Sequence, residues 1–333
     1  MAAAEHGHDS EHDRDHSKHG SHAGHSHATV TGDTDTRRLA IALSLILGFM
    51  VVEVVVGIAV QSLALLSDAA HMLTDAAALA LSLLVIRLVA RPAKGEFTFG
   101  LKRTEILSAQ ANGFTLLVLA GLILYEGISR LTSPPQPQGL PILIVALVGI
   151  VVNLAATWQL SKANRESMNI EGSFQHILTD LIAFIATAIA GIIILTTGWV
   201  RADAVAALFV AAIMLRAAYG LLRDSGRVLL EAAPEGMSVE EIGHAIAAHP
   251  HVDSVHDLHV WKVSSGFPSL SAHVLVHPGD DCHAIRRELE TLLSERFGIE
   301  HTTLQVDHHD RARLLTIGGR AYAADRGRDA PLA

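Results

Sequence analysis

Ala70-His71-Met72-Leu73-Thr74-Asp75 sits inside a long apolar run and recurs, roughly a hundred residues later, as Gln175-His176-Ile177-Leu178-Thr179-Asp180 inside another. In each copy a histidine and an aspartate are four residues apart, so a helix places both side chains on one face, one turn from each other. Two such helices side by side bring two imidazoles and two carboxylates to one point, a tetrahedral set suited to Zn2+. A lone core histidine more often bonds a backbone carbonyl. Here, of 21 histidines, eight precede residue 28 and eleven follow residue 240, which leaves only His71 and His176 in the apolar middle. An ionisable group in hydrocarbon is costly and marks a pathway or a site. Two matched pairs in a repeated Leu-Thr-Asp context favour the metal site.

Half of the 333 residues are hydrophobic, which for this length implies several membrane spans rather than an oversized soluble core. The single cysteine, Cys282, excludes an internal disulfide framework, and with six methionines a soft-ligand Cu(I) carrier is disfavoured. The net charge of −9 carries little as a sum, because acids and bases are segregated along the chain. No basic patch with interleaved aromatics suggests nucleic acid. The polar, acidic start lacks the pattern of a cleavable signal peptide, so the first span is expected to act as its own insertion signal.

Residues 1–36 read as a disordered tail carrying His6, His8, His12, His16, His19, His22, His25 and His27 among Asp, Glu, Ser and Gly, suited to loose metal buffering or to solubility alone. A six-span transmembrane domain is expected over 37–230, with apolar segments near 39–60, 64–89, 106–131, 141–161, 174–197 and 203–222. Alternating spans put Arg37, Arg38, Arg91, Lys94, Lys102, Arg103, Lys162, Arg165, Arg223 and Arg227 on one side, against Arg130 and Arg201 on the other. Both termini are therefore expected in the cytoplasm, with Trp199 in the opposite interface. Asp68, one turn before His71 on nearly the same face, is a candidate for the proton path. Glu53 is a second acid within a span. Asn112 and Asn153 read as interhelical hydrogen-bonding residues, and Gly113, Gly121, Gly149 and Gly191 as points of close helix approach. Thr74 and Thr179, each beside an aspartate, are candidates to support the ligands.

From 231 to 312 the period changes. Ser238-Val239-Glu240-Glu241 is a capping box that opens a helix to about 248. Residues 252–263 and 269–276 alternate like strands around Ser264-Ser265-Gly266, a helix covers 281–297, and Thr302–Asp307 forms a last strand. The order αββαβ predicts a ferredoxin-like α+β cytoplasmic domain with a helix layer on a sheet. Its histidines, among them His256, His259, His273, His277, His308 and His309, make it a candidate for a regulatory metal site. Residues 313–333 read as a polar tail without a role.

The arrangement resembles the cation diffusion facilitator family, specifically its bacterial zinc-efflux branch. The resemblance rests on Leu65-Leu66-Ser67-Asp68-Ala69-Ala70-His71-Met72-Leu73-Thr74-Asp75, on Phe99-Gly100 with Arg103 and Glu105, and on His176-Ile177-Leu178-Thr179-Asp180. In the cytoplasmic part it rests on Val255-His256-Asp257-Leu258-His259-Val260-Trp261 and His301-Thr302-Thr303-Leu304-Gln305. It implies a homodimer that exchanges cytosolic divalent metal for protons, with a C-terminal domain that dimerises and senses metal. His256 and His273 fall where family members bind regulatory zinc, with His308 as a third ligand. Two departures stand out. The loop between the second and third spans has only Glu96 where some relatives carry an additional zinc site, and the histidine-rich segment is N-terminal rather than between spans four and five.

The expected function is a proton-coupled antiporter in a bacterial inner membrane that exports Zn2+, with Cd2+ and Co2+ as further cargo, through His71, Asp75, His176 and Asp180. The ligands must lose protons to bind metal, and inward proton movement contributes about 2.3 kcal/mol per charge per 100 mV. Zn2+ is cargo and regulatory ligand, and no other cofactor is expected. Without G-x-x-x-x-G-K-[ST] an ATP pump is unsupported. A membrane metalloenzyme would need H-E-x-x-H or an equivalent base, and neither His is followed by Glu. A membrane-anchored metal sensor without transport leaves the two intramembrane pairs unexplained.

Overall fold

The computed structural model describes residues 32–59, 63–132, 139–308 and 322–323. The histidine-rich segment before residue 32, the Ser133-Pro134-Pro135-Gln136-Pro137 link and His309 lie outside the described residues. Six helices come first: α1 (Gly32–Ala59), α2 (Leu63–Val89), α3 (Thr104–Thr132), α4 (Gly139–Ser161), α5 (Met168–Thr197) and α6 (Ala202–Leu229). Each holds a stretch long and apolar enough to cross a bilayer, so the chain is a multi-pass integral membrane protein.

The bundle pairs α3 with α6, α4 with α5 and α1 with α2, while α5 also touches α2, α3 and α6. One core joins Leu39, Ile46, Leu79, Leu160, Ile170 and Ile177, and a second joins Leu116, Val210 and Met214 between α3 and α6. Outward faces remain apolar, with Val55, Phe114, Tyr125, Val151 and Phe209 exposed. Acyl chains can solvate such side chains, and the helices satisfy their own backbone groups. Gly149 is one point where the packing requires glycine, since a Cβ there would lie 2.6 Å from the Phe184 ring. At Gly113 it would meet Leu222 at 3.0 Å, whereas Gly121 faces open space and Gly191 has only ordinary contacts, so the close-approach reading holds for two of the four.

Two helices begin earlier than hydropathy predicts. Helix α1 starts at Gly32, inside the segment read as tail, because buried Asp35 accepts the Asn164 N–H at 3.2 Å and lies 3.5 Å from Arg38. Helix α5 starts at Met168 rather than 174, and its polar first turns are buried against α2 and α3 instead of solvated. Asn153 also differs from its reading: it donates to the Gly149 carbonyl of its own helix at 3.1 Å.

The C-terminal domain contains α7 (Val239–Ala247), β1 (Val252–Ser264), β2 (Phe267–Val276), α8 (Cys282–Phe297), β3 (His301–His308) and β4 (Tyr322–Ala323). Ser238 caps α7 by accepting the Glu241 N–H at 3.1 Å, as its capping box requires. The sheet order is β3-β2-β1-β4, with β1 and β2 antiparallel and β3 parallel to β2. Val255, Leu270, Ala272, Val274 and Leu304 pack against Ile242, Ile246, Ile285 and Leu289 of the two helices. Gly266, with φ 70°, makes the tight β1–β2 turn. Residues 322–323, inside the segment read as a structureless tail, pair with Val255 and Ser254. A strand of two residues is too short to show alternation, and it forms because the outer edge of β1 offers unpaired backbone groups.

Candidate functional site

Helices α2 and α5 carry the two repeated motifs and face each other within the bundle. His176 Nε2 lies 2.6 Å from Asp75 Oδ1, and both side chains are buried. Asp180, one turn further along α5, completes a group whose candidate ligand atoms all lie within 4.8 Å of one another. Among the described residues this is the only such group of three or more His, Cys, Asp or Glu side chains. A buried charge needs a partner, and two carboxylates around one imidazole are donor types suited to a proton or a cation. His176 Nδ1 is also buried and has no hydrogen-bond partner among the described residues.

The fourth candidate is placed differently. His71 is half-buried, one turn before Asp75, and does not join the three-residue group. The side chain of Asp68 lies outside the described residues. Thr179 donates to the His176 carbonyl at 2.6 Å, so it bonds its own helix instead of steadying a carboxylate.

Further polar residues on α2, α3 and α5 are not singled out by the sequence reading. Ser82 Oγ meets Ser173 Oγ at 2.7 Å, Ser108 donates to Asn169 Oδ1 at 2.6 Å, and Asn169 Nδ2 donates to the Ser82 carbonyl at 3.0 Å. All four are buried. A signal for them existed: Asn169, Ser173, His176 and Asp180 follow the 4-3-4 spacing of one helical face.

In the cytoplasmic domain His256 and His273 are direct cross-strand partners with ring centroids 5.2 Å apart. Asp257, in a β1 irregularity with φ 54°, lies 3.0 Å from His259 Nε2 and 3.9 Å from His273 Nε2. Burial holds His256 below the ordinary histidine pKa, the neighbouring His273 ring adds to this, and Asp257 opposes it. His308 is not brought to this pair. Gln305, not His308, is opposite His273, and His308 Nε2 lies 2.9 Å from the Asp280 carbonyl and 3.5 Å from Cys282 Sγ. The three-position offset along β3 separates it from the other two.

Residues 39–230 match the cation efflux transmembrane domain, and residues 234–309 match the cytoplasmic domain of cation efflux proteins. The chain is similar to the cation efflux system protein CzcD of Alcaligenes sp. (strain CT14), with 38% identity over 91% of this chain and 98% of that protein. It is 37% identical to the zinc transporter ZitB of Escherichia coli (strain K12), over 85% of this chain and 92% of the relative. It is 34% identical to the cadmium, cobalt and zinc/H(+)-K(+) antiporter of Bacillus subtilis (strain 168), over 87% and 95%. Six apolar helices, a buried cation-sized cluster between α2 and α5, and matches that cover both parts of the chain place it in the cation efflux family of membrane transporters, which move metal cations.

Proposed function

We propose that this chain exports Zn2+ from the cytosol in exchange for protons, with Asp75, His176 and Asp180 as the transport ligands and His71 completing the set as the helices move. The observation that carries the reading is the buried 2.6 Å contact between His176 Nε2 and Asp75 Oδ1, with Asp180 within ligand distance. The lone pairs that share a proton there are the ones a metal would take, so metal and proton compete for one site. One imidazole with carboxylates suits Zn2+ and admits Cd2+ and Co2+, whereas a site built from carboxylates alone would favour harder ions. The names of the zinc transporter and of the cadmium, cobalt and zinc antiporter agree with this cargo, and the latter's name includes proton exchange.

The match to the cytoplasmic domain further supports a homodimer, in which His256 and His273 bind regulatory zinc with Asp257 nearby. Proteoliposomes under an imposed pH gradient test the transport reading. Zn2+ flux should follow the gradient in the parent chain and vanish in Asp180→Ala. Zinc binding without flux in either protein would instead favour a sensor.

A further inference from the structure

A hydrogen-bonded set of small polar side chains lies between the three candidate ligands and the cytoplasmic end of the bundle. Ser82 lies seven residues along α2 from Asp75, about two turns or roughly 10 Å, in the direction of the basic α2–α3 connection. Ser173 and Asn169 lie one and two turns from His176 toward the start of α5. Ser108 belongs to the first turns of α3. The Ser82–Ser173, Ser108–Asn169 and Asn169–Ser82 bonds therefore tie α2, α3 and α5 together between the ligands and the cytosol. None of the four side chains is more than 3% exposed. Buried polar groups are costly unless paired, yet these helices could have packed with alanines. Serine and asparagine have value here because their bonds can also be satisfied by water when the helices part.

A second layer connects this set to the cytoplasmic domain. Glu105, 4% exposed at the start of α3, accepts from Ser167 Oγ at 2.5 Å. Ser265, in the β1–β2 turn, faces the same carboxylate and accepts the Met168 N–H at 3.1 Å. Lys102 sits 3.8 Å above the Phe267 ring, so the hairpin tip is seated on the helix ends through several contacts. The hairpin that carries His256 and His273 thus ends against the first turns of α3 and α5, the turns that contribute Ser108 and Asn169.

We propose that Ser82, Ser108, Asn169 and Ser173 form the cytoplasmic gate of the transport site, and that Ser265, acting through Glu105 and Ser167, latches it shut. The gate rests on the transport reading of Asp75, His176 and Asp180. Metal entry requires the three helices to separate at these bonds, and motion of the β1–β2 hairpin withdraws the latch.

The test uses the full chain with Cys282→Ser and Ser173→Cys, in inverted membrane vesicles treated with a membrane-impermeant maleimide. Labelling of the thiol at position 173 should be slow while the Ser108–Asn169 and Asn169–Ser82 bonds are kept. It should rise by about tenfold or more when Asn169→Ala removes its share of the buried bonds. Ser265→Ala, in the β1–β2 turn rather than in a membrane-spanning helix, should accelerate labelling in the same direction. Unchanged labelling in both variants would overturn the gate, and acceleration by Asn169→Ala alone would overturn the latch. Labelling is read without transport, so persistent flux in Asp180→Ala would sink the transport reading through a separate measurement.

Discussion

The membrane cluster and the cytoplasmic histidine pair use the same residue types in opposite surroundings. Between α2 and α5 one imidazole lies among two carboxylates, and one ligand atom from each residue lies within 4.8 Å of the others. On the sheet, His256 and His273 are partly exposed, and Asp257 is shared between His259 and His273 across unequal distances. Burial makes the first arrangement obligatory, because an unpaired charge there would cost several kcal/mol. Solvent makes the second optional, because water satisfies each ring in turn. The same two residue types therefore suit the proposed transport site in one place and the proposed regulatory site in the other.

The sharpest way to break this contrast is Asp75→Asn. The substitution keeps the shape, removes a charge, and leaves His176 facing an amide in hydrocarbon. Loss of one partner from a buried pair typically costs about 3–5 kcal/mol, so Zn2+ affinity at the transport site should fall at least about a hundredfold. Titration calorimetry on the purified full chain, with His256→Ala and His273→Ala present to remove the cytoplasmic signal, would measure it. Affinity within a few-fold of the parent would show that Asp75 is structural and that the comparison is misdrawn.

How far the sequence reveals these two regions depends on how strongly burial constrains each. The six spans, the direction of the chain and the repeated His-x-x-x-Asp face are legible because hydrocarbon tolerates few alternatives. The αββαβ order is legible from alternation and from the Ser238 capping box. Helix starts were misjudged at Asp35 and at Asn169 because hydropathy treats polar turns as solvated, while here they are buried against other polar groups. The same blind spot hid Ser82, Ser108 and Ser173, whose partners lie on other helices and 61 to 91 residues away. His308 was grouped with His256 and His273 by resemblance, and only strand register shows the three-position offset. The irregularity at Asp257 had no sequence signal, since its φ of 54° occurs at a residue type found in many conformations.

His71 offers a way to sharpen the comparison within the membrane. It shares the motif but lies outside the three-residue group, so its contribution should tune selectivity more than it sets affinity. In His71→Asp a hard oxygen ligand replaces an imidazole nitrogen, and the ratio of Zn2+ to Cd2+ flux should shift by about threefold or more, well short of the loss at Asp75. Equal flux ratios in variant and parent, in proteoliposomes loaded with a dye that responds to both ions, would remove His71 from the ligand set.

The smallest effect belongs to His256, and its sign follows from its surroundings. Burial and the neighbouring His273 hold its pKa below the ordinary value, against the pull of Asp257. Protonation is therefore harder in the folded domain than in the unfolded chain. The unfolded chain binds more protons as pH falls below about 6.5, the ordinary histidine value, so stability from this group is complete above that pH and declines as acid is added. With chelator present, the parent domain should lose thermal stability between neutral pH and pH 5.5, and His256→Gln should lose less over the same interval. Partial exposure of the ring lets water screen the repulsion and keeps the difference small. An identical pH dependence in the two proteins would mean that His273 and Asp257 cancel at His256, and that only metal, not protons, distinguishes the states of this face of the sheet.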